Sequence, residues 1–333
     1  MNRPIVVAGS INLDLVFIGK RIPAPGETVK GDRFHTFHGG KGANQAVAAA
    51  RLGYPVSMIG KVGGDDFGRR LQQGLRAEGI NVRSVSTAAS TASGVAMISV
   101  DAKGQNSITV IPGANDEVRP RDLEKCLPQL RAAGILLTQL EIPMESVEYL
   151  STVAQRHGIL LMLDPAPARS IPRSLLRRVT YLTPNETETC ALCGVAPSEL
   201  SPATVGRYAQ FLQTGAANVI VKMGRFGAYV AAADGLCRLI PAFRVKAVDS
   251  TAAGDAFNAG LAVALMRGME LAQAVRFAAA VGALSATRPG AQSSMPQGGE
   301  VDEFLDTRTA KAPRVRPSAN GRRAAVPAAG KRM

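Results

Sequence analysis

The chain has 333 residues, 46% of them hydrophobic, which is enough for one large domain with a substantial core, and no run of about 18 apolar residues could cross a membrane. The net charge of +13 is unevenly placed: Arg308, Lys311, Arg314, Arg316, Arg322, Arg323, Lys331 and Arg332 lie in 307–333 with no acid, and taking those eight from +13 leaves +5 for residues 1–306. The body therefore lacks the basic recognition face that nucleic acid requires, and four scattered cysteines exclude a disulfide framework.

In chain order, a strand is expected over 5–8, with none of the basic start or cleavage site of a signal peptide, so the expected compartment is the cytoplasm. Polar Asn12 and Asp14 follow its carboxyl end, where open α/β sheets bind ligands. Strand-like pieces at 15–18 and 31–37, separated by Pro23-Ala24-Pro25-Gly26, read as a flap and not as core. Gly39-Gly40-Lys41-Gly42-Ala43-Asn44-Gln45 reads as a turn that exposes backbone N–H groups ahead of a small-residue helix over 46–52. No Gly-Lys pair is followed by Ser or Thr, and no G-x-G-x-x-G occurs, which argues against P-loop and dinucleotide sites.

A strand over 56–59, a helix over 66–78 and a hairpin of 94–100 with 107–111 follow, and the hairpin could complete the flap. Beyond it, strands at 135–139, 159–163, 179–182 and 219–222 alternate with helices at 144–157, 186–192 and 203–213. That alternation predicts a parallel sheet covered on both faces. Asp164-Pro165-Ala166-Pro167, Thr183-Pro184-Asn185-Glu186-Thr187-Glu188 and Lys222-Met223-Gly224-Arg225-Phe226-Gly227 each follow a strand, so all can converge on one rim. Cys190 and Cys193 have metal-site spacing without a second pair, and they read as buried thiols on a helix.

The stretch 248–260 organises the rest. A helix over 254–267, closed by Gly268, begins at Ala252, Ala253 and Gly254, where free backbone N–H groups and the helix dipole favour an anion. A carboxylate at Asp255 would repel bound phosphate unless it faced another reactant, such as a phosphoryl acceptor hydroxyl. The alternative is a first-turn acid that merely complements the dipole. A last helix is expected over 271–286.

Asn185-Glu186-Thr187-Glu188, the Gly224/Gly227 turn and Ser250-Thr251-Ala252-Ala253-Gly254-Asp255 resemble the signatures of the ribokinase-like carbohydrate kinases, a family that also holds fructokinases and adenosine kinases. Gly39 to Ala46, Pro165-Ala166-Pro167-Ala168-Arg169 and Arg288-Pro289-Gly290-Ala291-Gln292 are similar to its ribose-phosphorylating members. The likeness runs from about 5 to 306. It implies an α/β fold, a doubly wound and mostly parallel sheet with helices on both faces, plus a small β-sheet lid at about 13–38 and 94–112. Residues 307–333 have no counterpart, and their composition reads as a basic disordered tail.

The resemblance also implies ATP-dependent phosphorylation of D-ribose at its primary 5-hydroxyl. In that scheme Asp255 is the general base and Ala252, Ala253 and Gly254 form the anion hole. Asn185 and Glu188 organise Mg²⁺ and its waters; Asn12, Asp14, Gly40, Lys41, Asn44 and Glu141 contact the sugar. Lys222, Gly224, Arg225, Gly227 and Ala279 belong to the nucleotide site. Asp249, Thr251, Ser285, Arg288, Gly290 and Ser294 match a site for K⁺ or a similar monovalent cation. Two positions depart from the pattern: Lys222 stands where such enzymes often have Thr, and Ala279 where some have a His against the adenine. A homodimer through the lid edges is implied, with no membrane or nucleic-acid partner. The competing readings are a related sugar or nucleoside kinase, and a non-catalytic nucleic-acid-binding or regulatory protein that uses the tail.

Overall fold

The computed structural model describes residues 3–309. Its larger sheet has nine strands in the order Cys237–Ile240, Ala228–Ala231, Asn218–Lys222, Tyr181–Leu182, Leu160–Leu163, Ile135–Thr138, Ile5–Ala8, Val56–Gly63 and Asn81–Ala88. All neighbours run parallel except the two pairings made by Ala228–Ala231, which are antiparallel. Parallel strands need crossovers, and the helices that supply them cover both faces. Strand alternation divides the core accordingly. Ile5, Val7, Ile135, Leu137 and Ile220 face one cluster, while Val6, Ala8, Leu136, Val219 and Val221 face the other. Each fully buried Val, Leu or Ile among them contributes about 1.5–3 kcal/mol of transfer free energy, so the central strands anchor the molecule.

A second, four-stranded sheet has the order Arg33–Gly39, Asn12–Ile18, Gly94–Val100, Asn106–Ile111. It grows directly out of the first strand, because the chain leaves Ala8, crosses Gly9 to Ile11 and enters Asn12–Ile18. Asp14 is in register with Phe37 and Ala96, and Ala96 with Val110. Directly paired residues share a face, so Val110, with Ile108 two residues before it, lies on the side that carries Asp14.

Several elements differ from the sequence reading. The segment read as a glycine turn is the start of a helix, Lys41–Arg51, with Gly40 at its cap (φ 86°), so Lys41, Asn44 and Gln45 are first-turn and second-turn residues. The strands Asn81–Ala88 and Cys237–Ile240 were not expected. The last helix, Gly298–Thr309, passes residue 306, and the remainder of the segment read as a tail lies outside the described residues. Cys190 is buried, Cys193 half-buried, and both are free thiols. No helix among the described residues is long and apolar enough to cross a membrane.

Candidate active site

Because the central strands are parallel, their carboxyl ends share one rim, and the chemistry-bearing residues of the sequence sit just past those ends. Ser10, Asn12 and Asp14 follow Ile5–Ala8; Gln139 and Glu141 follow Ile135–Thr138; Asp164 follows Leu160–Leu163; Asn185 follows Tyr181–Leu182 and forms a bridge with Lys222. Above them two helices present their N-termini. Lys41–Arg51 brings Lys41, Asn44 and Gln45, and Ala253–Met266 brings Gly254 and Asp255.

Asp255 is 4% exposed. Asn44 Nδ2 donates to its Oδ2 at 3.0 Å and Gln45 Nε2 to its Oδ1 at 3.1 Å. Burial pushes this carboxyl above the ordinary carboxylate range; Lys41 opposes that rise and Asp164 adds to it. The preceding Ala252 adopts a left-handed conformation (φ 57°), so the chain turns sharply into the helix; the Ala253 N–H, expected in the anion hole, donates instead to Ser250 O at 3.2 Å, which leaves Ala252 and Gly254 to offer N–H groups at the positive end. For Lys41, burial works against the charge, but the field of Asp255, Asp164, Glu141 and Glu188 prevails and holds its ammonium above the usual range. Lys41 therefore remains a cation beside Asp255.

The positions that the resemblance assigns to the sugar also meet. Asp14 is 9% exposed, and burial, reinforced by Glu141 and Asp255, raises its carboxyl to about 7. Glu141 is fixed by Ser10 Oγ at 2.5 Å and by the Lys41 backbone N–H at 3.2 Å. Asn12 Oδ1 accepts from Asn115 Nδ2 at 2.7 Å, and Asn115 Oδ1 accepts the Ile11 N–H at 2.9 Å. Asn115, Ser10, Gln45 and Asp164 had no role in the sequence reading. Gln45 lies in the glycine motif and Asp164 ends a strand, but that one amide bridges both acids is visible only in three dimensions: Gln45 Nε2 also donates to Asp164 Oδ2 at 3.1 Å.

Among the positions that the resemblance assigns to the nucleotide and its metal, Asn185 caps the helix Glu186–Cys193 in a reciprocal capping box, with its N–H and Nδ2 donating to Glu188 and its Oδ1 accepting the Glu188 N–H. Burial raises the Glu188 carboxyl, against the field of Lys222. Gly224, Arg225 and Gly227 form the tight turn after Asn218–Lys222, closed by the Met223 N–H on Gly227 O. Arg225 stacks on Phe226. Ala279 is half-buried on Leu271–Ser285, the helix packed along the Asp255 helix, and makes no polar contact with the acids.

The loop before Ala252 ties Asp249 to the 285–294 region. Asp249 Oδ1 accepts from the Thr251 N–H and hydroxyl, and its Oδ2 accepts the Gly290 N–H at 2.8 Å. Burial opposes the charge, but these donors hold the Asp249 carboxyl below the ordinary range. Ser285 and Ser294 share a buried hydroxyl contact at 2.8 Å. Arg288 sends its side chain to Glu300, so only its carbonyl is left to face a cation. Among the described residues no cluster of three or more His, Cys, Asp or Glu could hold a metal ion by itself.

The profile of the pfkB family carbohydrate kinases matches residues 2–298. The chain is 42% identical to a ribokinase of Bacillus subtilis over 303 residues, covering 91% of this chain and 99% of that one. It is 37% identical to a deoxyribokinase of Salmonella typhi over 90% of this chain and 98% of that one. The structure of an Arabidopsis thaliana ribokinase complexed with ribose and ATP superposes with a TM-score of 0.86 at 32% identity, covering 92% of this chain and 99% of that one. With a family profile over nearly its whole length, relatives matched end to end and their fold reproduced, this chain belongs to the pfkB family of carbohydrate kinases.

Proposed function

We propose that the protein phosphorylates D-ribose at its primary 5-hydroxyl with ATP, giving ribose 5-phosphate and ADP. The observation that carries this reading is the Asp255 carboxylate, buried at a helix N-terminus, aimed by Asn44 and Gln45, and facing a charged Lys41. A raised carboxyl that stays anchored suits a general base, which takes the hydroxyl proton as the sugar oxygen attacks the γ-phosphorus; such a base supplies about 10²–10⁴ in rate. The N–H groups of Ala252 and Gly254 stabilise charge on the transferring group, where one donor is worth about 3 kcal/mol. Support for ribose comes from relatives named for it, the ribose and ATP of the Arabidopsis neighbour, and the polar set Asn12, Asp14, Lys41, Asn44 and Glu141.

Asn185 and Glu188 fit a hydrated Mg²⁺, since a carboxylate locked by a capping box is oriented to hold metal-bound water. When bound there, Mg²⁺ would offset the negative charge of the triphosphate. Asp249, Thr251, Ser285, Gly290, Ser294 and the Arg288 carbonyl form an all-oxygen set that fits K⁺, a hard cation. Gly224, Arg225, Gly227, Lys222 and Ala279 hold the nucleotide. Residues near 13–38 and 94–112 act as a lid over the sugar. Two copies associate through it: Ile108 and Val110, on the Asp14 side of the small sheet, are 54% and 46% exposed, and a second lid would cover them.

The deciding experiment is a coupled assay of ADP release across D-ribose, 2-deoxyribose, fructose and adenosine. Ribose should give the highest kcat/KM, and deoxyribose should lose at least about tenfold, because an unpaired buried acceptor is costly. Preference for deoxyribose or adenosine would reject the ribose assignment and leave the kinase assignment standing.

A further inference from the structure

We propose that the ammonium of Lys222 is a catalytic cation of the phosphoryl-transfer site, donating to the oxygens of the transferring phosphoryl group beside the N–H group of Gly254. This rests on the reading of the site as a kinase centre.

The placement of Lys222 is fixed by its backbone. Its N–H donates to Pro184 O at 2.8 Å, it bridges Asn185, and it pairs with Ala228 across the antiparallel step of the sheet. Its side chain is 12% exposed and runs to the first turn of the Asp255 helix, where Nζ stands 3.5 Å from the position a Cβ on Gly254 would occupy. An anion seated at the Gly254 N–H is therefore within reach of the ammonium. Among the described residues Nζ makes one hydrogen bond, to Asp164 Oδ1 at 3.0 Å, and an ammonium has three donors. Two remain for a ligand.

Charge explains why the cation belongs there. Asp14, Glu141, Asp164, Glu188 and Asp255 crowd this rim, and a triphosphate adds further negative charge. Lys41 meets it on the sugar side; Lys222 stands between Asp164 and Glu188 on the nucleotide side. Through Asp164 and Gln45 the same ammonium is also one relay from Asp255. In the transfer, the sugar oxygen bonds to the γ-phosphorus, the bond to the β,γ-bridging oxygen breaks with its electron pair going to ADP, and the hydroxyl proton goes to Asp255. Lys222 keeps its proton and only stabilises charge.

The test compares the parent with Lys222→Met, Lys222→Thr and Lys222→Arg, measuring by calorimetry the affinity for β,γ-methylene-ATP and for ADP, and then ribose kinetics. The Met variant should lose at least about tenfold of the triphosphate-over-diphosphate preference and about 10²-fold in kcat, with the ribose KM within about twofold. Arg should recover part of the preference. A preference ratio and kcat within about threefold of the parent would overturn the proposal, as would an equal loss of both nucleotides together with a lowered Tm, the mark of a role confined to neutralising Asp164. If Met fails to fold by circular dichroism, Thr carries the same comparison. Nucleotide affinity needs no sugar, so a parent that binds ATP but leaves ribose untouched would fail the acceptor assignment while the ratio still decides on Lys222.

Discussion

Asp255 and Asp14 are both buried acids, and their surroundings give them different work. Asp255 has two amide donors and a cation to face, so Asp255→Asn keeps the shape and loses the base: kcat should fall at least about 10²-fold while ribose binding, followed by calorimetry, changes little. Asp14 has no cation among the causes of its shift and rises to about 7 from an ordinary 3.8. Between those values the folded state keeps a proton that the unfolded chain has lost, so stability falls as pH rises through this window, by a few kcal/mol at most. Compared with Asp14→Asn, the unliganded parent should therefore lose Tm as pH climbs from about 4 to about 7, and the gap should then level off. A gap that shrinks with pH would contradict the buried acid. In kinetics the same Asn variant should lose ribose kcat/KM, since the sugar hydroxyls lose a carboxyl partner.

At the scale of elements, the helix Lys41–Arg51 shows both what could be read and what could not. Its residues were picked out as chemistry, yet Gly39-Gly40-Lys41-Gly42 reads locally as a breaker, with Gly42 among the worst helix formers. Tertiary packing overrides that propensity: a Cβ on Gly42 would come within 2.7 Å of the Gly9 backbone, so only glycine lets this helix start against the first strand. Gly40 turns the chain into it at φ 86°, with Asn12 N only 2.7 Å from where a Cβ would sit. Gly40→Ala should cost about 1–3 kcal/mol in urea unfolding and raise the ribose KM, because Asn12 and Lys41 would both shift. The alternating strands and helices were legible because apolar runs and turn residues mark them. Asn81–Ala88 was missed because polar side chains alternate along an edge strand, and Cys237–Ile240 because it lies mostly exposed. In the loop from Asp249 to Thr251, exchanging K⁺ for tetramethylammonium should lower kcat several-fold, read in the same coupled assay, since Asp249 holds both Thr251 and Gly290.

For the molecule as a whole, sedimentation should give about twice the 34.8 kDa chain mass, and Ile108→Glu on the open side of the small sheet should bring it down to that of one chain. Removing 310–333 should leave kcat and Tm unchanged, because both cores and the whole rim close within the described residues. Lys41, Asn44 and Gln45 lie near the beginning of the chain, while the acid they serve lies 211 residues beyond Asn44. During synthesis the Lys41–Arg51 helix leaves the ribosome long before the Ala253–Met266 helix that shares its core. A prematurely released fragment would then carry Lys41, Asn44 and Gln45 without the base or the helix that packs against them, so turnover in a translating extract would time-stamp the docking of the Ala253–Met266 helix.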